Sequence, residues 1–211
     1  MNARWSFGVE PLPGSDTAAR LLRDIAGELV ALEHDDGALA AVGEELAVIE
    51  RRLAARAPAD PAPRVGDVTD GRVYVDHSRD IGAFNPCFPE YAIVVEGDHA
   101  RGTVTFPPAF EGPPGVVHGG FLAVFFDCVM QHHNCERGAA GKTSALNLRY
   151  RRPTPLGTEL EFRIERSVSE GRIRSTAELL ADGTVCCEAE MQAVAGNLGA
   201  LPAVSPRRSA R

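Results

Sequence analysis

Ten residues, Glu111 to Gly120 (Glu-Gly-Pro-Pro-Gly-Val-Val-His-Gly-Gly), lead straight into the apolar stretch Phe121 to Phe126, which delivers one carboxylate, Asp127. A Gly/Pro-rich loop that opens a helix leaves unpaired backbone N–H groups at the positive end of the helix dipole, where an oxyanion settles. Gly119 and Gly120 can therefore polarise a carbonyl; the plainer reading is that two glycines only make a tight turn into the helix. Asp127, between Phe126 and Cys128, is an acid in an apolar setting. That placement suits a general base or a nucleophile better than a merely solvated side chain. His118 has no carboxylate partner in the adjacent sequence, so it reads as an orienting group or a loop brace rather than as the base. It precedes Asp127 by nine residues, about two and a half helical turns, so the two face opposite sides of one helix. One site does not easily draw both from a single chain.

Cys128, His132 and Cys135 recur at i, i+4 and i+7, a spacing able to hold zinc. No second cluster with ligand spacing accompanies them, and the expectation is no metal, with small core-facing cysteines and polar helix-end histidines.

Elements that would position these residues follow from hydrophobic period. Leu22, Ile25, Leu29 and Leu32, then Leu39, Val42, Leu46, Ile49 and Leu53, recur in steps of three and four on either side of His34 to Gly37. That predicts two amphipathic helices from Asp16, a candidate N-cap, to about Arg56, packed as a hairpin on the main domain or on a symmetry mate. Residues 57–63 are Pro/Ala-rich and read as a linker. Alternation then takes over, with a hairpin at 92–96 and 101–106 turning at Gly97-Asp98. One helix is expected over His118 to Cys135, followed by strands at 142–151, 158–169, 172–181 and 184–194. Because Phe121 to Met130 is apolar almost all round, its helix must be wrapped on most sides. The fold class expected is α+β, an antiparallel sheet curled around one long helix.

At 211 residues, 44% hydrophobic and 24% charged, the chain suits one core plus an appendage. The expected division is a helical extension and linker over 1–64, the main domain over 65–196 and a flexible tail over 197–211. A net charge of −7 and a pI near 5.4 argue against nucleic acid as a partner. No apolar run reaches bilayer length and no signal-peptide pattern opens the chain, so a soluble, cytoplasmic protein is expected. Five cysteines without a disulfide framework fit a reducing compartment.

The arrangement resembles the hotdog fold, and His118-Gly119-Gly120 with Asp127 resembles the acyl-CoA thioesterases of the phenylacetate-type and C-terminal-modulator-like branches. Thr143, sixteen residues past Asp127, stands where that branch carries a catalytic threonine or serine; by itself it would be an ordinary strand residue. The likeness covers about Phe84 to Val194. It implies hydrolysis of a fatty or aromatic acyl-CoA, with Gly119 holding the oxyanion and Asp127 of a neighbouring subunit activating water or attacking directly. It also implies a homodimer or a dimer of dimers and no cofactor, coenzyme A being part of the substrate. Gly120, Phe121, Asn147, Arg149, Arg151 and Arg152 are the candidate substrate-binding residues, the arginines for coenzyme A phosphates, although a solvated edge rich in arginine is equally ordinary. Phenylacetate-type relatives carry Asn six residues before the His, where this chain has Gly112. Two other readings are a hotdog hydratase or dehydratase, whose loop and catalytic His are not matched here, and a non-catalytic acyl-CoA-binding or assembly module.

Overall fold

Segments whose apolar residues recur every three or four positions fold as helices, and those in which they alternate fold as strands. In the computed structural model, which describes residues 13–34, 37–56, 80–137 and 141–195, three helices come first: α1 (Ser15–Ala31), α2 (Ala38–Ala54) and α3 (Ile81–Phe84). Strands β1 (Tyr91–Glu96) and β2 (His99–Thr105), a 3-10 turn (Pro108–Phe110) and helix α4 (Gly119–Glu136) follow. The chain continues with β3 (Gly141–Tyr150), β4 (Glu159–Ser169), β5 (Arg172–Ala181) and β6 (Thr184–Ala195). All six strands form one antiparallel sheet in the order β1-β2-β4-β5-β6-β3. The linker at 57–63 and the tail at 197–211 lie outside the described residues.

On β4, Leu160, Phe162 and Ile164 are buried while Glu159, Glu161, Arg163 and Glu165 face outward. The inward set meets Phe125, Phe126, Val129 and Met130 of α4 in one core. The Phe125 ring lies edge-on to Phe106 and to Phe162, each at 5.4 Å between centroids. Burying one such side chain contributes roughly 1.5–3 kcal/mol, so α4 is held chiefly by this aromatic packing. A sheet curled around one long helix is the hotdog fold, as the sequence leads one to expect. No helix among the described residues is long and apolar enough to cross a membrane.

At the N-terminus the structure departs from expectation in two ways. Gly14 caps α1, and Asp16 sits in the first turn, where its charge suits the helix dipole without capping it. More important, α1 does not dock on the main domain through its apolar stripe, the first of the two partners expected for it: Leu22, Ile25, Leu29 and Leu32 remain 37–55% exposed in the single chain. The helix docks through Ala19, Arg23 and Gly27, at i, i+4 and i+8. Two small residues let α1 approach closely; a Cβ on Gly27 would lie 3.7 Å from Pro108. Between them the Arg23 guanidinium, 4% exposed, donates to the carbonyls of Gly82 (2.9 Å), Asn85 (3.0 Å) and Phe88 (3.0 Å) and pairs with Glu90. Helix α2 has no buried residue, so its Leu39, Val42, Ile49 and Leu53 are also exposed.

Candidate active site

Asp127 is half-buried in the middle of α4, and Thr143 at the start of β3 reaches it. The Thr143 hydroxyl donates to Asp127 Oδ1 at 2.6 Å. A β-bulge makes this contact possible. The β3–β6 register jumps from Thr143 opposite Ala193 to Ala145 opposite Gln192, leaving Ser144 as the extra residue. Strict alternation would put Thr143 on the same face as Asn147 and Arg149, away from the helix; the extra residue restores it to the face of Leu146 and Leu148. Asp127 Oδ2 has no hydrogen-bond partner among the described residues, so that oxygen is the one available for chemistry. Cys128 beside it is no rival nucleophile. Burial, assisted by the Asp127 charge, pushes its thiol up to about 12.

At the N-terminus of α4, His118 is the cap: its Nδ1 accepts the Gly120 N–H at 3.0 Å, which leaves the proton of the neutral ring on Nε2. The imidazole thus braces its own helix and occupies one of the two glycine donors. The Gly119 N–H has no partner among the described residues. Its surroundings are tight, with Tyr150 as the neighbour that would have to move: a Cβ at Gly119 would stand 3.1 Å from the hydroxyl of Tyr150, which donates to the Gly119 carbonyl at 3.0 Å. Gly112 is more confined, a Cβ there falling 2.8 Å from the backbone at His118 Cα. An asparagine, as in phenylacetate-type relatives, does not fit this loop without shifting it.

The other candidates lie apart from Asp127. Phe121 is 36% exposed and packs edge-on against Phe110 at 5.0 Å. Asn147 and Arg149 face the outer side of the sheet, where they line a groove with Arg163, Glu165, Glu178 and Glu188. Arg151 is paired with Glu188 at 2.7 Å, which holds the glutamate below and the arginine above their ordinary values. Arg152 is exposed. His132 Nδ1 lies 2.8 Å from the Tyr91 hydroxyl, and no three His, Cys, Asp or Glu side chains among the described residues are grouped to hold a metal ion.

Two residues at the site were not singled out from sequence. Tyr150 gives no local signal, since its approach to Gly119 depends on how β3 passes the loop. Gln131 does give one: it follows Asp127 by four residues on a helix that is apolar on nearly every side, and its Nε2 donates to Thr143 Oγ1 at 2.9 Å.

No family model matches the chain. A crystal structure of a thioesterase superfamily protein matches with a TM-score of 0.73 and 33% identity, over 89% of this chain and 93% of that one. The Bos taurus acyl-coenzyme A thioesterase THEM4 is 33% identical over 85 residues, 39% of this chain and 35% of that protein, so the match spans about a third of the relative's length. The six-stranded antiparallel sheet with α4 packed on it places the molecule among the hotdog proteins. Identity to a solved member along nearly the whole of both chains goes further: the chain belongs to the thioesterase superfamily.

Proposed function

We propose that the protein is an acyl-CoA thioesterase that hydrolyses a fatty or aromatic acyl-CoA to the free acid and coenzyme A. The Gly119 N–H donates to the thioester carbonyl as it gains negative charge, and Asp127 supplies the attack. In one route Oδ2 takes a proton from water, which adds to the carbonyl carbon; in the other Oδ2 attacks that carbon and water then cleaves the mixed anhydride. Either way the C–S bond breaks and the thiolate leaves. The observation that carries this reading is the Thr143 hydrogen bond to Asp127 Oδ1, which holds one oxygen and aims the other.

Both groups must converge on one carbonyl, each within roughly 3 Å of its target. Along one helix the eight residues from Gly119 to Asp127 rise about 12 Å, so the working site pairs Gly119 of one subunit with Asp127 and Thr143 of another. Among the described residues β3 is an edge strand with no partner on its outer side, and this, with the exposure of Tyr150 on it (58%) and of Val124 on α4 (49%), supports such a dimer.

The test is release of free thiol from a panel of acyl-CoAs. Asp127→Asn should lower turnover by on the order of a hundredfold or more with acyl-CoA binding and melting temperature retained. Near-normal hydrolysis by that variant overturns the assignment, and tight binding without turnover by the unaltered protein favours a binding module instead.

A further inference from the structure

Asp127, Gln131 and Asn134 lie at i, i+4 and i+7 on α4, a polar stripe on a helix that packs Leu122, Phe125, Phe126, Val129 and Met130 into the core. Their side chains, with Thr143 and Arg166, form one continuous series of hydrogen bonds. Arg166 Nε donates to Asn134 Oδ1 at 2.9 Å, Asn134 Nδ2 to Gln131 Oε1 at 3.4 Å, Gln131 Nε2 to Thr143 Oγ1 at 2.9 Å, and Thr143 Oγ1 to Asp127 Oδ1 at 2.6 Å. Arg166 is itself fixed, its side chain 5% exposed and its Nη1 3.1 Å from Asp98 Oδ1 in the β1–β2 turn. Asn134 is fully buried.

The direction of every bond in this series is forced by its ends. A guanidinium only donates, so Asn134 must turn its oxygen to Arg166 and its NH2 to Gln131. Gln131 then presents its oxygen to Asn134 and its NH2 to Thr143. With its oxygen already accepting, the Thr143 hydroxyl has its proton free for Asp127, and an ionised carboxylate accepts it. Met191 Sδ, 3.5 Å away, is a weak acceptor and does not compete. Hydrogen bonds aligned this way in a low-dielectric interior polarise and reinforce one another.

We propose that Gln131, Asn134 and Arg166 are positioning residues for hydrolysis, forming a one-way relay from a buried arginine that fixes the Thr143 hydroxyl as a donor to Asp127 and so leaves Oδ2 as the reactive oxygen. The inference rests on Asp127 being the attacking or activating group. Its content is the polarity of the relay, which a merely structural network would not need.

Asn134→Asp tests that polarity. The new carboxylate keeps Arg166 as partner, so the fold is retained, but it offers Gln131 only an acceptor. Gln131 then inverts its amide and turns its oxygen to Thr143, whose proton is drawn from Asp127. Gln131→Met, similar in shape, removes the donor to Thr143 altogether. Each variant should lower kcat about fivefold to tenfold, the scale of one hydrogen bond, with KM unchanged. Adding Thr143→Ala to either should cost nothing beyond Thr143→Ala alone. Asp127→Asn is measured first in the same assay; if it hydrolyses at the normal rate, the active-site reading itself has failed. Given loss of activity in Asp127→Asn, the relay is overturned if Asn134→Asp turns over normally, if its loss adds in full to that of Thr143→Ala, or if kcat falls only together with the melting temperature. Should Gln131→Met fail to fold, Asn134→Asp decides alone.

Discussion

Gly112 shows how far one missing side chain shapes this site. Its N–H closes the loop onto the Val116 carbonyl at 2.8 Å, and the space where a Cβ would stand is occupied by the His118 backbone. Restoring the asparagine of phenylacetate-type relatives should therefore not improve catalysis. Gly112→Asn is expected to destabilise by about 1–3 kcal/mol, the usual result of overpacking, and to lower kcat/KM by moving the loop that carries Gly119. Urea unfolding with an unchanged slope and a lower midpoint, beside the thiol assay, checks it. His133 carries a second prediction. It is fully buried, its Nε2 lies 3.0 Å from the Gly97 carbonyl, its Nδ1 has no partner among the described residues, and burial, helped by the charges of Arg166 and Arg137, lowers its pKa against the opposing pulls of the Gly97 carbonyl and Asp98. As pH falls through about 6.5 the unfolded chain binds this proton before the folded one does, so stability falls on going from about pH 7 to pH 5. His133→Gln keeps a donor for Gly97 and should flatten that slope in melting temperature; equal slopes in the two proteins would count against it. At this scale Asp127 and Gly119 are legible in the sequence because an acid and a paired glycine are out of place where they stand. Gln131 carries only the weaker mark of a polar residue four positions after Asp127, and its part in the site shows once the β3 bulge brings Thr143 to it.

Elements were legible where their period is clear. The β-hairpin, the central helix and the last four strands fall within a residue or two of the pattern, because alternation on a half-buried sheet leaves a strong mark. Helix α1 was legible as a helix but not in its orientation. Its apolar stripe points outward, and what docks is Ala19, Arg23 and Gly27, a face with no hydrophobic signature. Its strength comes from polar satisfaction: one guanidinium serves the carbonyls of Gly82 in α3 and of Asn85 and Phe88 after it. Arg23→Met, which keeps the stem and removes the charge, should destabilise by about 2–4 kcal/mol and free α1 from the body. Hydrogen exchange would show α1 amides losing protection while α4 keeps its own. Arg23→Lys should recover only part, since an ammonium has no second branch to hold Glu90, as Nη2 does, while the first nitrogen serves the three carbonyls. If Arg23→Met leaves α1 protected, close packing at Ala19 and Gly27 holds the helix without it.

For the whole molecule the decisive feature is the separation of the two halves of the chemistry along α4. The free N–H is at residue 119 and the acid at residue 127, and the continuous helix between them, anchored in the core by Leu122, Phe125 and Phe126, holds them apart. A chain that hydrolyses a thioester with these groups must therefore borrow one of them. Two variants that each spoil a different half make this testable. Asp127→Asn keeps a working Gly119, and Gly119→Pro keeps a working Asp127. Proline is a clean way to delete the N–H, because residue 119 opens the helix, where a fixed φ is accepted, and His118 before it already has the extended backbone (φ −64°, ψ 130°) that proline requires. Its ring must displace the Tyr150 side chain, which is more than half exposed and can swing out. Each variant alone should be nearly inactive. Mixed in equal amounts and allowed to exchange subunits, half of the dimers pair one chain of each kind, and one of the two sites in such a dimer has both working halves, so activity should return to about a quarter of normal. The same chains mixed without subunit exchange should stay inactive, which separates complementation from residual turnover. No recovery after proven exchange, or full-rate hydrolysis by a monomeric species, would mean that Asp127 and Gly119 do not meet across subunits and that some other donor in the same chain faces the acid.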